Sequence, residues 1–193
     1  MRKLIVCNII SLDGYYEGPG KDVMALPFDE AFDEYNAERL RAADTLLLGR
    51  RSFEGFKSYW PPVADDPDAR PVEREISRLN NAIDKVVVSD TLTPEHTAPW
   101  HDTRIVKSAD AHEQIAKLKS GPGKEILVLG SHTLWNDLLV GGLVDELHLM
   151  IGPALLGGGT PVFEGRSRVA LRLLGSRTLE KSELVLARYG PRD

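Results

Sequence analysis

The sequence predicts an α/β protein of three layers, with helices on both faces of a mostly parallel central sheet and antiparallel strands at its C-terminal edge. Three observations carry this. Short apolar runs alternate along the chain with segments of helical spacing. Several runs stop at a glycine, as at Gly49, Gly130 and Gly152. In the last stretch Val169, Leu171 and Leu173 alternate with the period of a strand. The strand–helix–strand order makes the sheet largely parallel. A chain of 193 residues suits one domain, taken as 1–193, and is short for two.

Taken in order, Lys3–Ser11 reads as a buried strand, and Asp13-Gly14 opens a glycine-rich loop reaching about Ala25. Phe28–Ala42 is a helix, because Phe28, Phe32, Tyr35 and Leu40 recur at roughly helical spacing. Thr45–Leu48 is a short strand and Ser52–Phe56 a short helical segment. Pro61–Pro71, polar and proline-rich, reads as a loop. Lys85–Ser89 and Thr103–Val106 are strands. Ala109–Lys119 is a helix, Ile126–Leu129 a strand, Thr133–Val140 a helix and Val144–Ile151 a strand. Val169–Tyr189 holds two more strands.

Composition narrows the function. A net charge of −5 argues against a general nucleic-acid binder, yet leaves room for a local basic pocket around a small anion. Cys7 is the only cysteine, which excludes an intrachain disulfide and a multi-cysteine metal site; its place in an apolar strand reads as packing. The five histidines show no ligand spacing, and no metal is expected. No apolar run approaches the about 20 residues of a membrane span, and the first run is too short for a signal peptide. A cytoplasmic protein is expected.

In such sheets ligands bind beyond the carboxyl ends of the strands. Gly49-Arg50-Arg51-Ser52 follows one strand: glycine allows close approach, a helix start offers free amides, and two arginines offer forks for phosphate. The same residues also suit a plain strand-to-helix turn with two solvated arginines. Gly130-Ser131-His132-Thr133 repeats the construction after another strand, and equally suits a capped helix with a turn glycine. Two such turns in one sheet reinforce each other, since a pyrophosphate needs donors from more than one loop. Ser89 and Lys107-Ser108 follow two further strands. No G-x-G-x-x-G follows the first strand, so an ordinary dinucleotide turn is not indicated.

The order of motifs resembles the dihydrofolate reductase-like superfamily, and within it the reductase domain of the bifunctional riboflavin-biosynthesis deaminase/reductase. The likeness rests on I-S-L-D-G at Ile10–Gly14, L-P-F-D at Leu26–Asp29, L-L-L-G-R-R-S-F at Leu46–Phe53 and V-V-V-S at Val86–Ser89. It continues with V-K-S at Val106–Ser108, V-L-G-S at Val128–Ser131, D-E-L-H-L at Asp145–Leu149 and G-P-A-L-L-G-G-G-T-P-V-F at Gly152–Phe163. The resemblance implies a dihydrofolate reductase-like fold, NADPH as cofactor, a homodimer, and hydride transfer to a small, heterocyclic, pterin- or ribosylaminopyrimidine-like substrate. It implies that Gly49, Arg50, Arg51 and Ser52 hold phosphates, that Ser89 and Lys107 lie on the adenosine side, and that Gly130, Ser131, His132 and Thr133 clamp the pyrophosphate. Ile10, Asp13 and Gly14 would lie against the nicotinamide.

Asp29 stands where the folate-reducing enzymes carry an acid, and a carboxyl beside Phe28 could help protonate a substrate. It also suits a simple acid in a first helical turn. Tyr15, Tyr16, Phe28 and Trp60 are candidate walls of a substrate pocket, with Trp60 equally suited to packing. Arg70 or Arg74 could serve a phosphorylated substrate, as in a riboflavin-pathway reductase. A nucleotide-binding protein without catalysis is the reading from another class. Gly130-Ser131 stands where the resemblance has two glycines. Gly157–Gly159 reads as a tight turn, and Leu147–Ile151 offers an apolar edge to a second copy.

Overall fold

A computed structural model describes residues 1–163, 165 and 168–192. The chain runs β1 (Leu4–Ser11), β2 (Tyr15–Glu17), α1 (Glu30–Ala42), β3 (Ala43–Gly49), α2 (Arg50–Val63), α3 (Pro71–Ala82), β4 (Asp84–Val88), β5 (Arg104–Val106), α4 (Ala111–Ser120), β6 (Glu125–Leu129), α5 (His132–Val140), β7 (Glu146–Gly152), β8 (Thr160–Pro161), β9 (Leu171–Thr178) and β10 (Val185–Pro191). Eight strands form one sheet in the order β5-β4-β3-β6-β1-β7-β10-β9. The pairings from β5 to β7 are parallel, while β10 runs antiparallel to both β7 and β9. β2 and β8 pair separately.

Alternation along the strands builds three layers. Ile5, Cys7 and Ile9 of β1 point to one face, with Leu46, Leu48, Val87 and Met150, against Tyr35 and Leu40 of α1, Phe53 of α2 and Ile76 of α3. Leu4, Val6 and Ile10 point to the other, with Leu47, Val86 and Val128, against Ile115 of α4 and Trp135 and Leu138 of α5. Buried on both faces, β1 reads as a continuous apolar run. Burial pushes the Cys7 thiol up to about 12, which leaves it an inert part of that core.

The structure departs from the sequence reading in several places, the β2–β8 ribbon inside stretches read as loop and turn among them. α2 runs through Pro61 and Pro62 to Val63. Phe53, Phe56, Trp60 and Val63 keep helical spacing, and packing that stripe on the core outweighs two prolines in a last turn. α3 occupies a stretch with no element assigned. Its start is marked by Pro71 at the first helical position and by Glu73, whose carboxylate accepts the Arg70 amide at 2.8 Å. Finally, β7 is no edge: β1 and β10 pair with it on either side, and the open edges are β5 and β9.

One polar cluster ties the sheet to α1. Glu146 at the start of β7 is nearly buried; Lys3 Nζ donates to it at 2.7 Å, Arg188 at 3.0 Å and His148 Nε2 at 2.9 Å. With that proton on Nε2, His148 Nδ1 accepts from the Tyr35 hydroxyl at 2.9 Å. Burial opposes the charge on Glu146, but the hydrogen bonds from Lys3, His148 and Arg188 outweigh it and hold the pKa at about 2. A carboxyl depressed on folding stabilises above its unfolded pKa and loses that contribution as the pH falls through the folded one. Glu146→Gln should therefore cost about 2–3 kcal/mol at pH 7. Urea denaturation should show the gap to wild type closing as the pH falls from the model-peptide value of 4.5 toward about 2; a gap independent of pH would contradict the assignment.

Candidate functional site at the carboxyl edge of the sheet

β3 and β6 are neighbours, so the two glycine bends that follow them lie side by side. They are bonded to each other. Ser131 Oγ accepts the Gly49 amide at 3.0 Å, and Ser52 Oγ accepts the Ser131 amide at 2.8 Å. Gly130 and Ser131 both take left-handed backbone, with φ of 61° and 58°. Glycine does this freely; the serine is strained, and its hydroxyl bond to the other bend offsets part of the strain. A Cβ on Gly130 would sit 3.1 Å from Ser52 Oγ and 3.2 Å from the Tyr16 hydroxyl.

α2 and α5 start from these bends, and neither has a side-chain cap. Gly49 has no side chain to offer, and Ser131 has turned its own toward Gly49. Two helix starts whose N-cap residues supply no side-chain cap thus face one place, where their partial charges favour an anion.

The remaining residues expected on the cofactor fall along the same edge of the sheet. Arg50 reaches the Thr91 hydroxyl, just past β4, and pairs with Glu54 at 2.8 Å. Ser89 Oγ accepts the amides of Thr91 and Leu92 at 3.2 and 2.9 Å, and Lys107 Nζ donates to the Asp90 carbonyl at 2.9 Å. Arg50, Ser89 and Lys107 therefore surround one turn, 89–91, whose Asp90 and Thr91 no sequence pattern had marked. Arg51 pairs at 3.2 Å with Glu17, a buried carboxylate that also accepts from the Thr160 hydroxyl at 2.8 Å. Thr133 is exposed at the start of α5, while the His132 ring turns inward and donates to the Pro161 carbonyl at 2.8 Å.

Ile10 is buried near the end of β1. Gly14 has φ of 83°, and Asp13 acts as a clamp: Ser11 Oγ donates to it at 2.6 Å, and the amides of Leu156 and Gly157 at 3.1 and 2.8 Å. The Ser11 hydroxyl and these amides hold its carboxyl below the usual carboxylate range. The Gly157–Gly159 turn is thus tied to the end of β1. Gly159 is required there, since a Cβ would stand 2.1 Å from the Glu17 carbonyl.

A cleft of about 630 Å³ opens near the end of β7, lined by Pro27, Phe28, Asp29, Pro153 and the β9–β10 turn, Lys181–Leu184. Pro27 packs on Gly152, the last residue of β7 and the register partner of Ser11. Asp29 is the N-cap of α1, accepting the Phe32 amide at 3.0 Å, and its second oxygen accepts from the Ser182 hydroxyl. Lys181 and Ser182 lie far from Asp29 in sequence, and nothing in their own neighbourhood signals the contact.

Three predicted residues lie elsewhere. Trp60 sits in the last turns of α2, about 15 Å along the helix axis from Arg50, packed on the core with its carbonyl bonded to Ser77. Arg70 is engaged by Asp33 and Glu73, and Arg74 by the carbonyls of Asp66, Pro67 and Ala69. Both are spent on the α2–α3 connection. Tyr15 pairs with Pro161 in the small β2–β8 ribbon, and Tyr16 lies over the Gly130 bend, stacked on the His132 ring with centroids 4.7 Å apart. Among the described residues no helix is long and apolar enough to cross a membrane, and no three His, Cys, Asp or Glu side chains gather as for a metal ion.

A doubly covered, mostly parallel sheet with two glycine bends side by side at its carboxyl edge defines an α/β protein of the class whose ligands bind beyond the strand ends. The chain belongs to the RibD C-terminal domain family, whose profile matches residues 2–185. It is 33% identical over 181 residues to the uncharacterized protein YyaP of Bacillus subtilis, covering 92% of this chain and 89% of that one. Its structure is similar to a protein described as a riboflavin biosynthesis protein from Shewanella sp. PV-4, with a TM-score of 0.68, 23% identity and 99% of each chain covered. It also resembles dihydrofolate reductase from Enterococcus faecalis complexed with NADP(H), with a TM-score of 0.59 and 16% identity over 99% of this chain and 97% of that one. The fold is thus dihydrofolate reductase-like.

The Gly130 bend can be tested directly. Gly130→Ala adds a Cβ in left-handed backbone and into close contact with Ser52 and Tyr16, and should cost about 1–2 kcal/mol. Chemical denaturation checks this; a variant as stable as wild type would mean the bend is not held as described.

Proposed function

We propose that this protein is an NADPH-dependent reductase acting on a small, heterocyclic substrate. One observation carries the reading: the candidate residues lie along the carboxyl edge in strand order. Lys107 follows β5, Ser89 follows β4, the Gly49–Ser52 bend follows β3 and Gly130–Thr133 follows β6. Asp13-Gly14 follows β1, and the cleft lies at the end of β7. β6 and β7 are two strand spacings apart, about 10 Å. A long ligand with an anionic middle can lie across that edge and bring one end to the cleft.

The donor set fits the group. The first-turn amides of α2, the Thr133 end of α5 and the Ser52 hydroxyl would hold the pyrophosphate. Arg50, Ser89 and Lys107 would hold the phosphate on the adenosine ribose, through charge-assisted bonds. When bound, NADPH supplies the hydride. The protein's own residues do the rest. Phe28 and Pro27 offer apolar walls to a flat ring. Asp29, fixed by the Phe32 amide and the Ser182 hydroxyl, holds a substrate N–H and retains a proton position at the cleft. Lys181 is the cation on the cleft wall, whereas Arg70 and Arg74 are committed elsewhere.

Saturating NADPH at about 100 times its Kd should stabilise the protein by about 2.7 kcal/mol, with NADH doing less at equal concentration. Arg50→Ala should erase most of the preference, about tenfold or more. Thermal-shift titrations of both coenzymes check this, and equal response to the two would remove the assignment of Arg50 and Lys107.

Asp29→Asn should lower kcat about a hundredfold with the coenzyme affinity unchanged. Asparagine caps a helix about as well as aspartate, so stability should hold within about 0.5 kcal/mol. Turnover unaffected at every pH would take Asp29 out of the chemistry.

A further inference from the structure

Tyr16 belongs to no motif of the sequence that signals phosphate, and the cleft near β7 does not include it. Its surroundings are those of the cradle. The hydroxyl stands 3.2 Å from the point a Cβ on Gly130 would occupy, and Ser52 Oγ stands 3.1 Å from the same point. The two oxygens thus flank the space directly above the Gly130 bend, beside the start of α5.

The ring has little freedom. It stacks on His132 at 4.7 Å with a 30° tilt, and His132 is itself bonded to the Pro161 carbonyl at 2.8 Å. The backbone on either side is held by β2–β8 pairing, at Tyr15 with Pro161 and at Glu17 with Thr160. Glu17 adds its bond from the Thr160 hydroxyl and its ion pair with Arg51, on the first turn of α2. The Tyr16 oxygen takes a hydrogen bond from the His132 backbone amide, and its own proton goes to no acceptor among the described residues. Burial, with the nearby Glu17 charge, pushes the phenol up to about 12, so it keeps its proton near neutral pH. A fixed phenol donor with no acceptor of its own, aimed at a space lined by amides and a serine hydroxyl, fits an anionic oxygen.

We propose that Tyr16 is a binding residue of the cradle, donating its hydroxyl proton to a pyrophosphate oxygen of the coenzyme. This rests on the NADPH reading above and assigns it a donor outside the two glycine bends. Preorganisation by the His132 stack and the β2–β8 ribbon makes that donor effective, because little freedom is lost when the ligand arrives. Tyr16 is then a cofactor-side residue and not a wall of the substrate pocket.

The test compares wild type with Tyr16→Phe, which keeps the ring and its stack. NADPH binding is followed by coenzyme fluorescence, and 2′-AMP, which carries the adenosine-side phosphate without a pyrophosphate, by calorimetry. The variant should lose roughly tenfold in NADPH affinity. It should bind 2′-AMP within about twofold of wild type and melt within a few degrees of it. Equal NADPH affinity in the two proteins overturns the proposal and leaves the NADPH reading standing. An equal loss for both ligands also overturns it, since the effect would then come from general packing of the ribbon. A wild type that binds 2′-AMP but not NADPH, or neither, overturns the coenzyme reading and Tyr16's role with it.

Discussion

Two amide-to-hydroxyl bonds, Gly49 to Ser131 and Ser131 to Ser52, govern the geometry of the whole carboxyl edge. They can form only because β3 and β6 are parallel neighbours that end at the same level, and because each strand hands over to its helix through a single bend. Once Ser131 has given its side chain to the opposite bend, α5 is left without a cap; α2 has none because its N-cap is glycine. Helix starts carry partial positive charge, and two of them side by side amount to a standing positive potential. The rest of the site is arranged around that potential.

The charges of the molecule follow from the same requirement. On the proposed NADPH reading, a chain with net charge −5 repels the anionic coenzyme at long range, so attraction would have to be local. Backbone dipoles would supply most of it, with few cations. Of the arginines nearby, Arg50 leans on Glu54 and Thr91, and Arg51 on the buried Glu17. Such pairing keeps the guanidinium groups placed before any ligand arrives. Farther off, Arg70 and Arg74 fasten the α2–α3 connection and take no part in the edge.

The strands and the two bends were legible because they depend on local signals: apolar runs that stop at glycine, followed by a helical period. The extension of α2 was hidden by Pro61 and Pro62, which read as breakers, although Phe56, Trp60 and Val63 carried the spacing that the core rewards. α3 announced itself through Pro71 and Glu73, signals submerged in a polar, proline-rich stretch. The Asp13 clamp on Leu156 and Gly157, and the Ser182 bond to Asp29, join residues remote in sequence, and no periodicity encodes such contacts. Trp60 takes the packing alternative its sequence offered, because a helix start and a residue three turns later share a motif neighbourhood but not a location. Ser131 shows the converse, a non-glycine residue accepting left-handed backbone because its hydroxyl is needed across the bend.

The position of β1 has a consequence for how the chain reaches this state. β1 is made before every other strand of this sheet and lies in its interior, yet its register partners are Ile126–Leu129 on one side and Glu146–Gly152 on the other. While the ribosome is still producing β3, β4 and β5, an apolar segment buried on both faces in the finished protein has no strand beside it. Loop closure over such distances is slow compared with helix formation, and an unpaired apolar strand is adhesive in the meantime. Assembly of the nascent chain must therefore wait for its second half, and the N-terminal segment is the one with most need of shelter, from a chaperone or from α1, until β6 and β7 emerge.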